Sequence, residues 1–119
     1  GFSFDPKFTD DKAACMVVSG AGYVMLLHEP FYRSFTKREL CDTTRQEEGL
    51  VALSCDSRAE VDPLMHVALG SGAARARETV DHGFMYERSF YDPDGHHWEL
   101  IWMDPAAMQA GPPAESRAS

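Results

Sequence analysis

Nine residues near the C-terminal end, Asp92-Pro93-Asp94-Gly95-His96-His97-Trp98-Glu99-Leu100, hold the side chains best suited to chemistry in this chain. Glu99 is a single carboxylate between Trp98 and Leu100. Such a group either takes a proton as a base, binds a cation or metal, or rests solvated on an edge strand. His97 stands two positions earlier, and neutral imidazole is the commonest metal ligand. Asp-Pro-Asp-Gly is turn chemistry, with proline presetting φ and glycine accepting φ > 0 at the close. The following His96–Met103 reads as a strand rich in aromatic and branched residues. Alternation puts His97, Glu99, Ile101 and Met103 on one face and Trp98, Leu100 and Trp102 on the other. Desolvating an acid there is costly unless a partner compensates. Without a metal or cation, burial raises its pKa and makes it a general base.

Other candidates are weaker. His28 closes a strand beside Glu29, as a surface histidine or a metal ligand. Phe31, Tyr32, Phe35, Phe84, Met85 and Tyr86 form an aromatic and sulfur-bearing set that either walls a pocket or packs a core. Arg88 is an exposed strand arginine by default, or the partner of an anionic ligand. His66, His82 and His96 read as surface or turn residues.

The elements that must position these residues follow from periodicity. Phe2–Phe8 alternates phenylalanine with polar residues and suggests a short strand interrupted at Pro6. Ala13–Ser19 and Tyr23–Glu29 form a hairpin across Gly20-Ala21-Gly22, and Pro30 stops the second strand. Thr36-Lys37-Arg38-Glu39 has capping-box spacing and predicts a helix of about two turns inside a long connection. Leu50–Cys55 is a strand, and Ser57-Arg58-Ala59-Glu60 opens a helix carrying Val61, Leu64, Met65, Ala68 and Leu69. Pro63 predicts a kink there, or a late start capped by Asp62. Ala74–Val80 is a weak strand, and Phe84–Tyr91 is the hairpin partner of the Glu99 strand.

Composition sets the frame. The 119 residues suit one domain with one core, 44% hydrophobic and 25% charged. No apolar run approaches the roughly 18 residues of a membrane span, and no basic-then-apolar leader opens the chain. A formal charge of -8 without a basic run argues against nucleic acid. Cys15, Cys41 and Cys55 lack CxxC spacing, which speaks for a reducing cytoplasmic setting and against a disulfide framework or cysteine-bound zinc.

A βαβββ order closed by Asp-Pro-Asp-Gly-x-x-x-Glu-Leu resembles the vicinal oxygen chelate superfamily, which includes glyoxalase I, the bleomycin-resistance proteins and the extradiol dioxygenases. The segments Phe4–Thr9, Met25–Phe35 and Gly83–Met103 are similar to small bacterial glyoxalase-like proteins. The resemblance implies an α+β glyoxalase/bleomycin-resistance/dioxygenase fold of paired βαβββ modules, with the first module incomplete. It gives one glyoxalase-like domain over 1–105: partial module one at 1–30, a connection at 31–49, module two at 50–105, and a flexible tail at 106–119. The missing leading strand and helix imply that the chain opens short of a full module.

In that fold, facing strands hold a divalent metal, and Glu99 falls on the glutamate ligand of the last strand. Zn, Ni, Fe, Mn or Mg would suit it. The other ligand positions fall on Met25 or Leu26 and near Leu50, which bind no such ion. His28 or a partner would have to supply the deficit. The expected function is therefore the binding of a small organic molecule in a sheet-lined cavity without a required cofactor. Glu99 is the catalytic candidate, and Phe31, Phe35, Phe84, Met85, Tyr86 and His97 line the ligand. The alternative is a metal-dependent lyase of glyoxalase type or a dioxygenase using Glu99 as ligand or base. A homodimer is expected, with no membrane or nucleic-acid partner.

Overall fold

The computed structural model describes residues 2–110, whose backbone divides into two compact units that meet between Cys41 and Asp42. The division falls inside the connection expected at 31–49.

The first unit is a three-stranded antiparallel sheet in the order β1 (Ser3–Phe4), β2 (Ala13–Val17), β3 (Tyr23–Leu27). Pro6 ends β1 and opens a single 3₁₀ turn at Pro6–Phe8, where its missing N–H costs nothing. β2 and β3 pair as the expected hairpin, with Cys15 opposite Met25. The helix of this region differs from expectation. It is α1 (Glu29–Arg33), starting where the strand was to stop, because Pro30 lies in its first turn and its fixed φ suits that position. The Thr36 hydroxyl does accept from the Arg38 N–H, but no helix follows.

The second unit is a five-stranded sheet with the order β4-β8-β7-β5, β6 also pairing with β7. β4 (Leu50–Ser54) lies parallel to β8 (His97–Met103), and the crossover between them contains α2 (Arg58–Gly70). Ser57 precedes α2, and the Glu60 carboxylate reaches back to the Asp56 N–H. Pro63 lies inside α2, so the helix neither starts late nor is capped by Asp62. Its apolar stripe meets one face of the sheet. Val61 and Met65, 0% and 1% exposed, pack with Cys55 and Leu100, flanked by Leu53, Leu64, Leu69, Tyr86, Phe90 and Trp102.

β7 (Met85–Tyr91) and β8 form the hairpin, pairing Tyr91 with His97, Ser89 with Glu99 and Glu87 with Ile101. Asp92 builds the turn. Its carboxylate accepts from the Asp94 and His96 N–H groups and from the Trp98 indole, and Gly95 takes φ +90°. The weak strand at 74–80 is two fragments, β5 (Ala74–Arg75) and β6 (Val80–Asp81), with a break between them. In that break the Ala76 and Arg77 N–H groups bond to the Ser89 carbonyl and hydroxyl. The expected tail begins as a helix instead, α3 (Pro105–Ala110), because Asp104 caps it through the Ala106 N–H. The rest of that stretch, 111–119, lies outside the described residues. Among the described residues no helix is long and apolar enough to cross a membrane.

Candidate functional site

Strand alternation gives the second unit two unlike faces. One carries Trp98, Leu100, Phe90 and Tyr86 and is covered by α2. The other carries Met85, Glu87, Ser89 and Tyr91 from β7, and His97, Glu99, Ile101 and Met103 from β8. Here, opposite the apolar core, polar side chains are buried: Ser89 at 2%, His97 at 6%, Glu99 at 7% and Glu87 at 9% exposure.

The two acids meet at one cation. Arg77 Nη1 lies 3.2 Å from a Glu99 oxygen and 3.3 Å from a Glu87 oxygen, with the Arg77 side chain itself 56% exposed. The break between β5 and β6 makes this possible: Arg77 is anchored by its backbone to Ser89, which lies across from Glu99. Burial lifts the Glu87 carboxyl above its ordinary value. The hydrogen bond with Glu99 and its charge lift it further, while Arg77 and His97 pull it back. Glu99 therefore sits in a polar, cation-bearing setting and not the apolar one expected for a lone base.

His97 extends the polar row toward the hairpin tip. Its Nδ1 is 3.0 Å from a Glu47 oxygen, its ring is tilted against Tyr91 at 5.0 Å, and its side chain is 5% exposed. Since a carboxylate only accepts, Nδ1 is the donor in this bond. The buried Nε2 then has no hydrogen-bond partner.

Glu47 belongs to a strap, residues 42–48, lying along the hairpin tip. The Thr43 hydroxyl donates to the Asp94 carbonyl at 2.6 Å, and a Cβ on Gly95 would collide with the Thr43 carbonyl. Between strap and hairpin lies a cleft of about 280 Å³ lined by Thr43, Thr44, Arg45, Gln46, Glu47, Tyr91 and Gly95.

Of the other expected site residues in the second unit, Met85 shares this face and Tyr86 does not. Tyr86 lies on the α2 side, its hydroxyl donating to Asp62 at 2.7 Å, because its neighbour Glu87 takes the site side of the strand. Arg88 binds the same Asp62 at 3.0 Å and is 14% exposed, so it holds α2 to the sheet. Met85 shares the Glu99 face, paired with Met103 at its far end. Phe84 is 38% exposed and stacks on His82. Phe31 and Phe35 belong to the first unit, ring edge to ring face at 5.1 Å, with Phe35 66% exposed. His28 is there too, exposed at the start of α1, in a second cleft with Lys12, Pro30, Phe31 and Ser34.

A metal centre does not fit these donors. Among the described residues no three His, Cys, Asp or Glu side chains gather to hold an ion. The cation on Glu99 is a guanidinium, and Met25, Leu26 and Leu50 offer no ligand atom for a hard ion.

Sequence reasoning missed Glu87, Arg77 and Glu47. Glu87 was within reach. Pairing Tyr91 with His97 across the Asp92–His96 turn places every odd-numbered residue of the preceding strand on the Glu99 face. Arg77 and Glu47 come from irregular segments with no period to read.

No protein-family model matches the sequence, and no curated protein matches it. Solved structures do. A hypothetical protein from S. aureus superposes with a TM-score of 0.69 at 23% identity, covering 85% of this chain and 75% of that one. A glyoxalase/bleomycin resistance protein/dioxygenase family enzyme from Burkholderia phytofirmans PsJN gives 0.65 at 15% identity, covering 86% and 80%. A glyoxalase-related enzyme from Fulvimarina pelagi gives 0.67 at 19% identity, covering 83% and 70%. The chain has the glyoxalase/bleomycin-resistance/dioxygenase fold that the hairpin motif implied.

Proposed function

We propose that this protein binds a small organic molecule on the Glu99 face of its five-stranded sheet, without a metal held by its own side chains. The observation that supports this best is the pair of buried carboxylates, Glu87 and Glu99, sharing one half-exposed guanidinium. Burying two acids opposite a core that α2 already supplies is unfavourable for stability alone, and such groups concentrate at functional sites. Arg77, reachable from solvent, can turn from the acids to a ligand or hold one against them. Met85 and Met103 supply apolar surface at the far end of the face.

The test is a thermal-shift screen of small carbonyl compounds and planar aromatics, with metal analysis after purification without chelators. A ligand at about 100 times its Kd stabilises by about 2.7 kcal/mol. The expected result is such a shift in the metal-free protein, lost in Glu99→Gln. A stoichiometric divalent ion lost in Glu99→Ala would replace this reading with the metal-dependent lyase or dioxygenase.

A second reading is favoured by the raised Glu87 carboxyl. Two buried carboxyls side by side on β7 and β8, with Glu87 lifted above its ordinary value by burial, place a proton donor and a proton acceptor together, suited to moving a proton next to a carbonyl. Loss of a carbon-bound proton to deuterated solvent, seen by NMR and abolished by Glu99→Gln, would establish it. We place the protein in the reducing cytoplasm, in keeping with its free thiols, and as a homodimer, in keeping with the exposed Leu50 and Val51 of β4 at the sheet edge. A monomeric sedimentation coefficient at micromolar concentration would rule the dimer out.

A further inference from the structure

We propose that the cleft between the 42–48 strap and the hairpin tip binds the charged head of a small zwitterion, a molecule carrying an ammonium and a carboxylate as a free amino acid does. This names the ligand class for the small-molecule reading above and rests on it only in placing a ligand on the second unit.

The cleft is held open before any ligand arrives. Thr43 is bonded to Asp94, its backbone lies against Gly95, and the Arg45 and Gln46 N–H groups bond to the Asp42 carbonyl. Its two threonine hydroxyls are already committed as donors, Thr43 to Asp94 and Thr44 to the Asp42 carboxylate. The charged groups that line the cleft are Arg45 and Glu47. They are two residues apart and opposite in sign. Among the described residues they form no ion pair with each other, and Arg45 forms none with any acid. A cation and an anion lining one cleft and not paired with each other present the complement of a molecule with both charges.

Glu47 is also fixed in place. His97, 5% exposed, holds one of its oxygens, and the same ring leaves Nε2 buried without a partner. Packing alone gives no reason to keep an imidazole there, since a buried unpaired nitrogen is unfavourable. The bond to Glu47 does, because it aims a partly exposed carboxylate whose other oxygen stays free for a ligand. Tyr91, tilted on His97, closes the cleft with an aromatic wall.

Charge separates the zwitterion from its rivals. A simple anion would have to approach a chain of net charge -8, and a simple cation would face Arg45. A zwitterion meets neither objection.

The experiment titrates the full chain with L-phenylalanine, N-acetyl-L-phenylalanine and L-phenylalaninamide, followed by calorimetry and by the Tyr91 and Gly95 amide resonances. L-phenylalanine should bind about tenfold or more tightly than either analogue, the ratio expected for one charge-assisted hydrogen bond lost. Arg45→Ala, at an exposed position, should remove the preference over the amide, and Glu47→Gln, which keeps an acceptor for His97, the preference over the acetylated form. Equal binding of all three, or none by L-phenylalanine up to roughly 10 mM, would overturn the assignment. Equal binding that is also lost in Glu99→Gln would overturn it while leaving the small-molecule reading intact.

Discussion

Gly95→Ala tests how the strap is held. Gly95 has φ +90°, where an L side chain is strained by about 1–3 kcal/mol. A Cβ there would lie 2.6 Å from the Thr43 carbonyl carbon and 3.0 Å from the Thr44 nitrogen, both backbone atoms that no rotamer change can clear. The strap must move, and with it goes the Thr43–Asp94 hydrogen bond, worth about 1 kcal/mol. Together these give a loss of about 2–4 kcal/mol, a large share of the stability of a small domain and roughly a 10 °C fall in Tm. Two further glycines separate the contributions. Gly83 has φ +80° with nothing within 4 Å, so Gly83→Ala measures strain alone; Gly49 has open space and ordinary φ, so Gly49→Ala should be near neutral. Urea unfolding followed by Trp98 and Trp102 fluorescence gives the energies, and trypsin cleavage after Arg45 reports the strap directly. A Gly95→Ala cost no larger than that of Gly83→Ala, or cleavage at Arg45 no faster than in the parent, would refute the collision with the strap.

Arg77→Ala leaves two buried acids without their shared cation. Discounted for the exposure of Arg77, the loss is about 1–3 kcal/mol near neutral pH, shrinking in acid where the carboxyls take up protons, as urea midpoints across pH would show. Glu87→Gln acts in the opposite direction. A carboxyl raised in the folded state favours folding below its ordinary 4.5 and loses that contribution as pH rises through the folded value, so the ionised form opposes folding at neutral pH. The glutamine variant should have the higher urea midpoint near neutral pH, the gap closing on acidification. Pro63→Ala restores a backbone bond inside α2 and should stabilise by about 2 kcal/mol, the helix gain of about 3 less about 1 from the freer unfolded chain, measured by the same unfolding curves.

What the sequence reveals is what periodicity and turn chemistry control. The β2–β3 hairpin, β4 and the Asp92–His96 turn all read directly, and so does the sidedness of β8, because a period of two leaves a strand no choice once Trp98 and Leu100 enter the core. Misreadings came where a local signal competed with a better one nearby. Thr36–Glu39 has the spacing of a cap, yet the helix forms at Glu29–Arg33, where Pro30 costs least. Tyr86 looked like a pocket wall because aromatic residues line pockets, yet parity sends it to α2 and gives the opposite face to Glu87.

The same parity explains why the acids are two and not one. With Tyr91 fixed opposite His97, an acid at 87 is directed to the side of the sheet that Glu99 occupies, and the like charges must be relieved. A regular strand at 74–80 would have given Arg77 no such reach. Its break gives up ladder bonds, satisfies the Ala76 and Arg77 N–H groups on Ser89, and frees the guanidinium to fold over both carboxylates. Irregularity in β5–β6 and the buried pair on β7–β8 are thus one feature. Regularising the break, by deleting two residues between Arg75 and Val80, should therefore leave Glu87 and Glu99 without their shared cation and lower the urea midpoint at neutral pH as Arg77→Ala does.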